Sequence, residues 1–451
     1  MQESIDETAV ESAGQAVLRH SILTFGTRVG IVLVNIPTSI LVARLLGVEG
    51  QGAYTSAIIL PTLFAFAGML GIDSAHTYLL SKKEQTKAAI CGQSVLLTLV
   101  LAAVIAPVYL AFLRFYGPAQ DPTLRPLLLL GAALVPVLLA RYFSVAFLLG
   151  LEDIRRFNLA NFVQAATLLG LMCANLFVFH GGVLGAVVAY LLSEATVTVV
   201  GIATAVRAAR GGKLVERPPA GLFRRSAVYG LQGHVGNILV LFTYRFDTFL
   251  VLPMVGVGAQ GFYSIAVILA EKLSHIPESI QVVLFPRLSA LGTADANRLT
   301  PRVTRNSLLI TAVAGVALFA LSRPLLLLFY GTQYLDSLLA LRALIPGVVL
   351  LAVAKILSTD FSGRDKRMYY TVGTAIAFAV NLVLCLLWIP RWGIVGAAWA
   401  STVAYAVQAG VMLAFFRHVS GRGILETVVI RREDLALYAA ALAKLTRRRS
   451  V

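Results

Sequence analysis

Basic and amide side chains recur inside long apolar stretches of this sequence. A charge at the middle of a membrane helix costs about 2.5–3.5 kcal/mol, so each such residue needs a partner or a function. Guanidinium forks match phosphate oxygens, and a set of cations therefore favours binding of an anionic, phosphate-bearing molecule. The candidate binding residues are Arg28, Asn35, Arg141, Asn237, Arg245 and Lys355.

A second set of residues could exchange protons or cations. Glu271, His275 and Glu278 stand at i, i+4 and i+7, a spacing that suits a protonation relay on one helix face. Salt bridging near the cytoplasmic end of the same helix explains the spacing equally well, and each lone charge is compatible with a half-buried structural role. The ion-coupling candidates are Asp73, Asp247, Glu271 and His275.

The elements that must position these residues are membrane helices. Hydrophobic residues make up 58% of the 451 residues, charged residues only 13%, and the mean hydropathy is +0.82. Soluble domains carry about 25% charged residues, and a crossing helix needs roughly 20 apolar ones. The sequence predicts twelve spans, at 18–45, 54–79, 88–113, 127–150, 159–180, 183–206, 227–254, 260–289, 306–329, 336–360, 370–390 and 394–416.

An enzymatic function finds no support in the sequence. No linker between the spans is long enough for a catalytic domain. We find no Ser/His/Asp cluster, phosphate-binding GKS/T loop or histidine set with metal spacing. We therefore expect no catalytic residues, no metal and no cofactor.

Lysine and arginine are distributed unequally between alternate linkers. Twenty-six fall in the linkers and tail on one side of the predicted spans and five on the other. The positive-inside rule then places both termini in the cytoplasm. Topology and contact with anionic headgroups account for the net charge of +16, so nucleic-acid binding is not expected.

A short glycine-containing pattern occurs twice. Residues 40–60 align with 249–269 at an offset of 209 with ten identities, and "RFYGPAQ"/"LFYGTQY" and "GVLGA"/"GIVGA" follow in the same order. Three paired landmarks indicate a duplicated six-helix unit. The sequence therefore predicts an all-α polytopic protein with two pseudo-symmetric lobes around a central cavity. Its parts are a cytoplasmic tail (1–17), a lobe (18–206), a basic cytoplasmic linker (207–226), a second lobe (227–416) and a basic cytoplasmic tail (417–451).

The repeat brings two polar helix faces into correspondence. At the offset of 209, Arg28 aligns with Asn237 and Ser39 with Thr248. A shared cavity between the lobes explains equivalent polar faces on the first helix of each lobe. Interhelical hydrogen bonding without any substrate is the alternative.

Several motifs resemble those of one transporter family. They are "LVARLLGVEGQGAY", "YRFDTFLVLPMVGVGAQGFYSIAVILAEKL", "LFPRLS", "LLLLFYGTQYLDSLLALRALIPG" and "WIPRWGIVGAAWAS". In this order and spacing the chain resembles, from Leu18 to Phe416, the polysaccharide transporters of the multidrug/oligosaccharidyl-lipid/polysaccharide exporter superfamily.

The resemblance implies a flippase working by alternating access. Its substrate would be an undecaprenyl-pyrophosphate-linked oligosaccharide, moved from the inner to the outer leaflet for O-antigen, capsule or exopolysaccharide synthesis. Its partners would be membrane lipid and, in the cell, a polysaccharide polymerase and glycosyltransferases. The alternatives are a lipid II flippase, which usually has fourteen spans, a cation-coupled multidrug antiporter, and a non-transporting scaffold of a polysaccharide synthesis complex.

Overall fold

The apolar stretches form helices throughout the described chain. A computed structural model describes residues 7–209 and 212–434, so the predicted tails and linker lie partly outside the described residues. Short 3₁₀ or π segments join some of the helices. The helices are α1 (Glu7–Gly68), α2 (Ile72–Ser81), α3 (Lys87–Phe115), α4 (Arg125–Gly150), α5 (Ile154–Ala174), α6 (Gly182–Ala208), α7 (Leu222–Val255), α8 (Val257–Glu271), α9 (His275–Ala290), α10 (Thr293–Leu325), α11 (Ser337–Gly363), α12 (Arg367–Ser420) and α13 (Ile424–Val428).

Nine helical segments of the described chain are long and apolar enough to cross a membrane. Two of these segments, Gly26–Gly68 and Arg367–Ser420, contain 43 and 54 residues, about twice the length that one crossing needs. Each contains one glycine with non-helical backbone angles, Gly47 in α1 and Gly393 in α12. The protein is therefore all-helical with at least nine candidate crossings.

The repeated landmarks adopt matching backbone conformations. Gly47 and Gly256 have φ values of 70° and 113°, and Gly182 and Gly393 have φ values of 56° and 55°. Glycine takes these positive φ angles without the steric cost that a Cβ imposes. The linker predicted between the spans 18–45 and 54–79 was too long, because only Gly47 is non-helical between Glu7 and Gly68.

The third landmark also recurs in structure. Tyr116 follows α3 and is buried, and a 3₁₀ turn at Gly117–Gln120 comes next. Tyr330 likewise ends the segment after α10, is buried, and precedes a 3₁₀ turn at Thr332–Tyr334. The two halves of the sequence thus share local structure as well as residue types.

The described chain separates into two compact units. The first comprises the residues up to 241 together with 248–264 and 329–333. Its core surrounds α4, whose buried Leu134, Leu138 and Phe143 pack against Met69 and Ile72. The two lobes expected from the sequence stay a prediction.

The second unit comprises 242–247, 265–328 and the chain from 334 onward, and α11 is its central helix. Two thirds of the most apolar 18-residue stretch of α11 is buried. A Cβ added at Gly347 would lie 2.5 Å from Thr402 Cα, and the Thr402 hydroxyl donates to the Ala343 carbonyl at 2.6 Å. Small residues and interhelical hydrogen bonds of this kind replace the hydrophobic driving force that lipid does not supply.

The segment after α12 is tied to the start of α10. Arg305 donates through Nε and Nη2 to the Asp434 carboxylate at 2.7 and 3.1 Å, and through Nη1 to the Glu426 carbonyl at 2.7 Å. Asp434 is fully buried, and Asn306 also donates to it at 3.3 Å. These hydrogen bonds therefore hold the described part of the basic tail against α10.

Asp434→Asn is expected to detach the segment after α12 from α10 at every pH. Burial alone would raise the pKa of Asp434, but hydrogen bonds from Arg305 and the Arg431 amide hold it below 3.8. The carboxylate tie is therefore present above that ordinary value and is lost only as the pH falls through the lowered one. Trypsin should cleave the variant faster than the wild type at Arg431 and Arg432 by the same factor at pH 5 and at pH 8, a ratio that cancels the loss of trypsin's own activity in acid. Cleavage of the exposed-site control Glu433→Gln should match the wild type, and equal cleavage of all three proteins would contradict the tie.

Candidate functional site

Ionisable residues cluster where helices are interrupted. α1 ends at Gly68 and α2 begins at Ile72, and Asp73 lies in the first turn of α2. α8 ends at Glu271, a 3₁₀ turn follows, and α9 begins at His275. Interrupted helices leave backbone groups that membrane proteins tolerate where they are buried in protein or line a water-filled cavity. The sequence did not predict these breaks. Each of them therefore marks a candidate position for a polar functional site.

In the first unit, the predicted polar face of α1 is accessible. Arg28 is exposed and Asn35 is half-buried, and Asn237 on α7 is also exposed. Within the part of the chain that the structure describes, no ion pair involves Arg28. Its guanidinium therefore remains available to an anion.

Arg141, by contrast, has a carboxylate partner. Its Nε lies 2.6 Å from Glu194 Oε2 on α6, at angles that make this an ion contact rather than an aligned hydrogen bond. Gln164 on α5 also donates to Glu194 Oε1 at 3.3 Å. Glu194 is buried, so the pair joins three helices by neutralising a charge that would otherwise be costly.

His76 is the centre of a polar network that links three helices. It lies 3.0 Å from Gln93 Oε1 and 3.1 Å from Ser94 Oγ on α3. Ser226 at the start of α7 donates to the same Gln93 oxygen at 3.3 Å. His76 and Gln93 are both buried, and the network has a structural function.

In the second unit, two of the predicted residues form one ion pair. Arg245 on α7 lies 2.9 Å from Glu271 through Nη1 and Oε1, and 3.3 Å through Nη2 and Oε2. From the sequence, Arg245 is a candidate for the anion site and Glu271 a candidate for ion coupling. The structure brings them together as a forked pair, whose two side chains are each more than one third exposed.

Glu278 connects the other two predicted residues of this unit. Lys355 Nζ lies 2.5 Å from Glu278 Oε1, and His275 Nδ1 lies 3.1 Å from Glu278 Oε2. Lys355 also lies 5.8 Å from the centre of the Tyr244 ring. The 3₁₀ break thus divides the expected row, since Glu271 reaches α7 whereas Glu278 reaches α11.

Asp247 is buried in a separate hydrogen-bond network. Ser401 donates to its Oδ2 at 2.6 Å, and Asn381 donates to Ser401 at 3.2 Å. Asp73 in the first unit is half-buried, within electrostatic range of His234. Within the second unit, Asp247 also lies within electrostatic range of Arg245, the partner of Glu271.

Three of the predicted cations are consequently paired with glutamates: Arg141, Arg245 and Lys355. The prediction of an anion-binding set counted these bases without their carboxylates, and it stays a prediction. Glu194 and Glu278 lie within predicted spans. Their presence there was the signal in the sequence that carboxylates pair with these bases. A charge inside a span indicates a partner of opposite sign as readily as a ligand.

The repeated glycine pattern forms a close contact between its two copies. A Cβ added at Gly52 would lie 2.0 Å from the Val257 carbonyl oxygen, and one at Gly261 would lie 2.0 Å from the Val48 carbonyl oxygen. Gln51 also donates to Ser264 Oγ at 3.2 Å. The contact is reciprocal, since each copy places a bare glycine against the backbone of the other.

The sequence of this chain is similar to those of known proteins. The profile of a protein family described as "Polysaccharide biosynthesis protein" matches residues 41–340. A Shigella flexneri protein named "Putative O-antigen transporter" is 24% identical over 385 residues, which cover 81% of this chain and 89% of that protein.

Solved transporter structures share the fold. An inward-facing multidrug resistance MATE family transporter of the MOP superfamily is 16% identical, with a TM-score of 0.68 over 89% of this chain and 98% of that one. The lipid II flippase MurJ in an inward closed conformation is 14% identical, with a TM-score of 0.62 over 89% and 90% of the two chains. At identities this low, the similarity of the structures shows a common fold only.

Proposed function

Because the chain belongs to the family of polysaccharide biosynthesis proteins, we propose that it is a flippase for a lipid-linked oligosaccharide. It moves an undecaprenyl-pyrophosphate-linked glycan from the cytoplasmic to the outer leaflet by alternating access. The observation that carries the proposal is the accessible face of α1, where Arg28 is exposed without an ion-pair partner among the described residues. A guanidinium in that state binds pyrophosphate oxygens through paired hydrogen bonds.

The proposal includes twelve crossings. Gly47 and Gly393 each divide one overlong segment into two, and α8 together with α9 supplies a further crossing of 15 and 16 helical residues around a 3₁₀ break. Both termini then lie on the cytoplasmic side, where the basic linkers lie.

The second unit supplies the proposed coupling group. Glu278 contacts both His275 and Lys355, so protonation of His275 adds a positive charge beside an existing ion pair. Histidine changes its charge near neutral pH, and a proton gradient could therefore bias this cluster. Glu271 takes part through its pair with Arg245.

Arg28→Ala is expected to reduce flipping about 10- to 100-fold, since a charge-assisted hydrogen bond contributes about 1.5–3 kcal/mol. Purified protein in liposomes would be given a fluorescent polyprenyl-pyrophosphate oligosaccharide. Arg28→Lys keeps the charge without the fork and should give an intermediate rate. Arg125→Ala removes another exposed arginine of the same unit and should leave the rate unchanged.

The same liposomes separate the alternatives. Transport of lipid II with no transport of the oligosaccharide would favour a lipid II flippase, and transport of a cationic dye would favour a multidrug antiporter. A wild-type protein that moved none of the three would favour a scaffold. Full activity of Arg28→Ala would refute the proposed pyrophosphate contact even if flipping itself were confirmed.

A further inference from the structure

An apolar cleft opens on the first unit, and Arg28, Arg141 and Glu194 are not among the residues that line it. It has a volume of about 360 Å³ and lies between α3, α4 and α6, with linker residues 214–215 across one end. Its walls include Val95, Leu99 and Ile202, each more than half exposed. In a protein of this hydropathy such a surface faces lipid, and a cleft of this size falls within the range of small-molecule sites.

Two glycines shape the cleft. A Cβ added at Gly201 would lie 2.6 Å from Ser144 Cβ, so bare backbone lets α6 pack closely on α4 and form the floor. A Cβ added at Gly92 would lie 2.0 Å from the Glu216 carbonyl oxygen, so the linker crosses directly over α3. The Glu216 amide donates to the Ala88 carbonyl at 3.1 Å and holds the linker there.

The end of the cleft nearest the linker is basic. A smaller, more polar pocket continues from it, and the two linings share Cys91, Phe147, Ala205 and Leu214. Lys87 at the start of α3 and Lys213 in the linker border this pocket and are both exposed. Among the residues that the structure describes, neither lysine has an ion-pair partner. The predicted topology places both of them on the cytoplasmic side.

We propose that this cleft is a binding site for an anionic phospholipid of the cytoplasmic leaflet. One acyl chain lies between α3 and α6, and the phosphate lies between Lys87 and Lys213. The apolar walls exclude a soluble anion, and the two lysines favour a negative headgroup over a zwitterionic one. Basic pockets between membrane helices on the cytoplasmic side are a recognised form of lipid-headgroup site. Because the linker forms one wall, a bound lipid would fix its path. This site is independent of the transported substrate.

The test is native mass spectrometry of the delipidated full-length protein titrated with phosphatidylglycerol and with phosphatidylethanolamine. We expect wild type to bind the first phosphatidylglycerol at least about tenfold more tightly, since each lysine contributes about 1 kcal/mol. Lys87→Gln/Lys213→Gln should abolish that preference. Val95→Trp/Leu99→Trp fills the cleft and should weaken binding of both lipids.

A control and two competitors complete the test. Lys366→Gln/Arg367→Gln removes the same charge from exposed residues of the second unit and should keep the preference. Equal binding by wild type and the two-lysine variant would overturn the proposal, as would tighter binding of polyprenyl phosphate than of phosphatidylglycerol at the lysine-dependent site. Displacement by millimolar inorganic phosphate would show an anion site without a lipid and would also overturn it.

Discussion

Gly261→Ala is expected to destabilise the protein by about 1–3 kcal/mol although alanine is the better helix former. The gain in helix propensity is only about 0.5–1 kcal/mol. The new methyl group would lie 2.0 Å from the Val48 carbonyl oxygen, and a backbone atom cannot move aside as a side chain can. The steric cost therefore exceeds the propensity gain, and thermal unfolding of the purified protein should show a lower midpoint.

The matched control is Gly258→Ala, three residues earlier in the same helix. A Cβ at Gly258 meets no atom within 4 Å, so only the propensity gain applies and stability should be unchanged or higher. If both variants unfolded at the same temperature, Gly261 would not lie against the Val48 carbonyl oxygen in solution. Gly52→Ala should behave as Gly261→Ala does, and the double variant should be less than additive, since both changes separate the same two backbones.

The same change should affect transport. If the glycine contact forms and separates during alternating access, a cost of 1–3 kcal/mol shifts the balance of states by roughly 5- to 150-fold against the one in which the glycines touch. Flipping in liposomes should fall for Gly261→Ala and stay at the wild-type rate for Gly258→Ala. An unchanged rate in a destabilised Gly261→Ala protein would show that the contact is structural only.

Arg141→Met is expected to cost about 3–5 kcal/mol because it leaves the Glu194 carboxylate buried without its cation. Glu194 is 4% exposed, so water cannot replace the lost charge. Gln164 Nε2, at 3.3 Å, and the Tyr190 hydroxyl still hydrogen-bond to Glu194, but both are neutral and do not replace the lost cation. Expression level and the unfolding midpoint of purified protein should both fall.

The double variant Arg141→Met/Glu194→Gln separates two functions for Arg141. It removes both charges, and stability should return to near the wild-type value, because replacing a buried pair by neutral groups is often neutral. If the restored protein also flips substrate normally, Arg141 is a structural residue. If it is stable but binds the lipid-linked sugar more weakly, Arg141 belongs to the anion site as the sequence analysis predicted.

Much of the architecture could be predicted from hydropathy and glycine alone. Residues 88–113 were predicted as a span, and α3 covers them as Lys87–Phe115. The landmark glycines were also identified from their repetition, and Gly182 and Gly393 indeed share a φ near 55°. These features are local, since a run of apolar residues or a bare backbone acts without regard to distant partners.

The pairing of charges could not be predicted in the same way. Arg141 and Glu194 are 53 positions apart, and their contact depends on α4 and α6 packing side by side. The 3₁₀ break at Lys272–Ser274 was also missed, although Pro277 was its signal, because proline has no N–H to donate to the Leu273 carbonyl four residues earlier. Without the break, Glu271 and Glu278 were placed on one face, whereas each contacts a different helix.

The reciprocal glycine contact has a consequence for the origin of the chain. In an isologous dimer, residue i of one subunit contacts residue j of the other, and j contacts i in return. Gly52 against Val257 and Gly261 against Val48 reproduce that arrangement within one polypeptide, because Val257 aligns with Val48 and Gly261 with Gly52. A single half-length ancestor could therefore have joined a second copy of itself through the same backbone atoms, and fusion of the two genes would have preserved an interface that already existed.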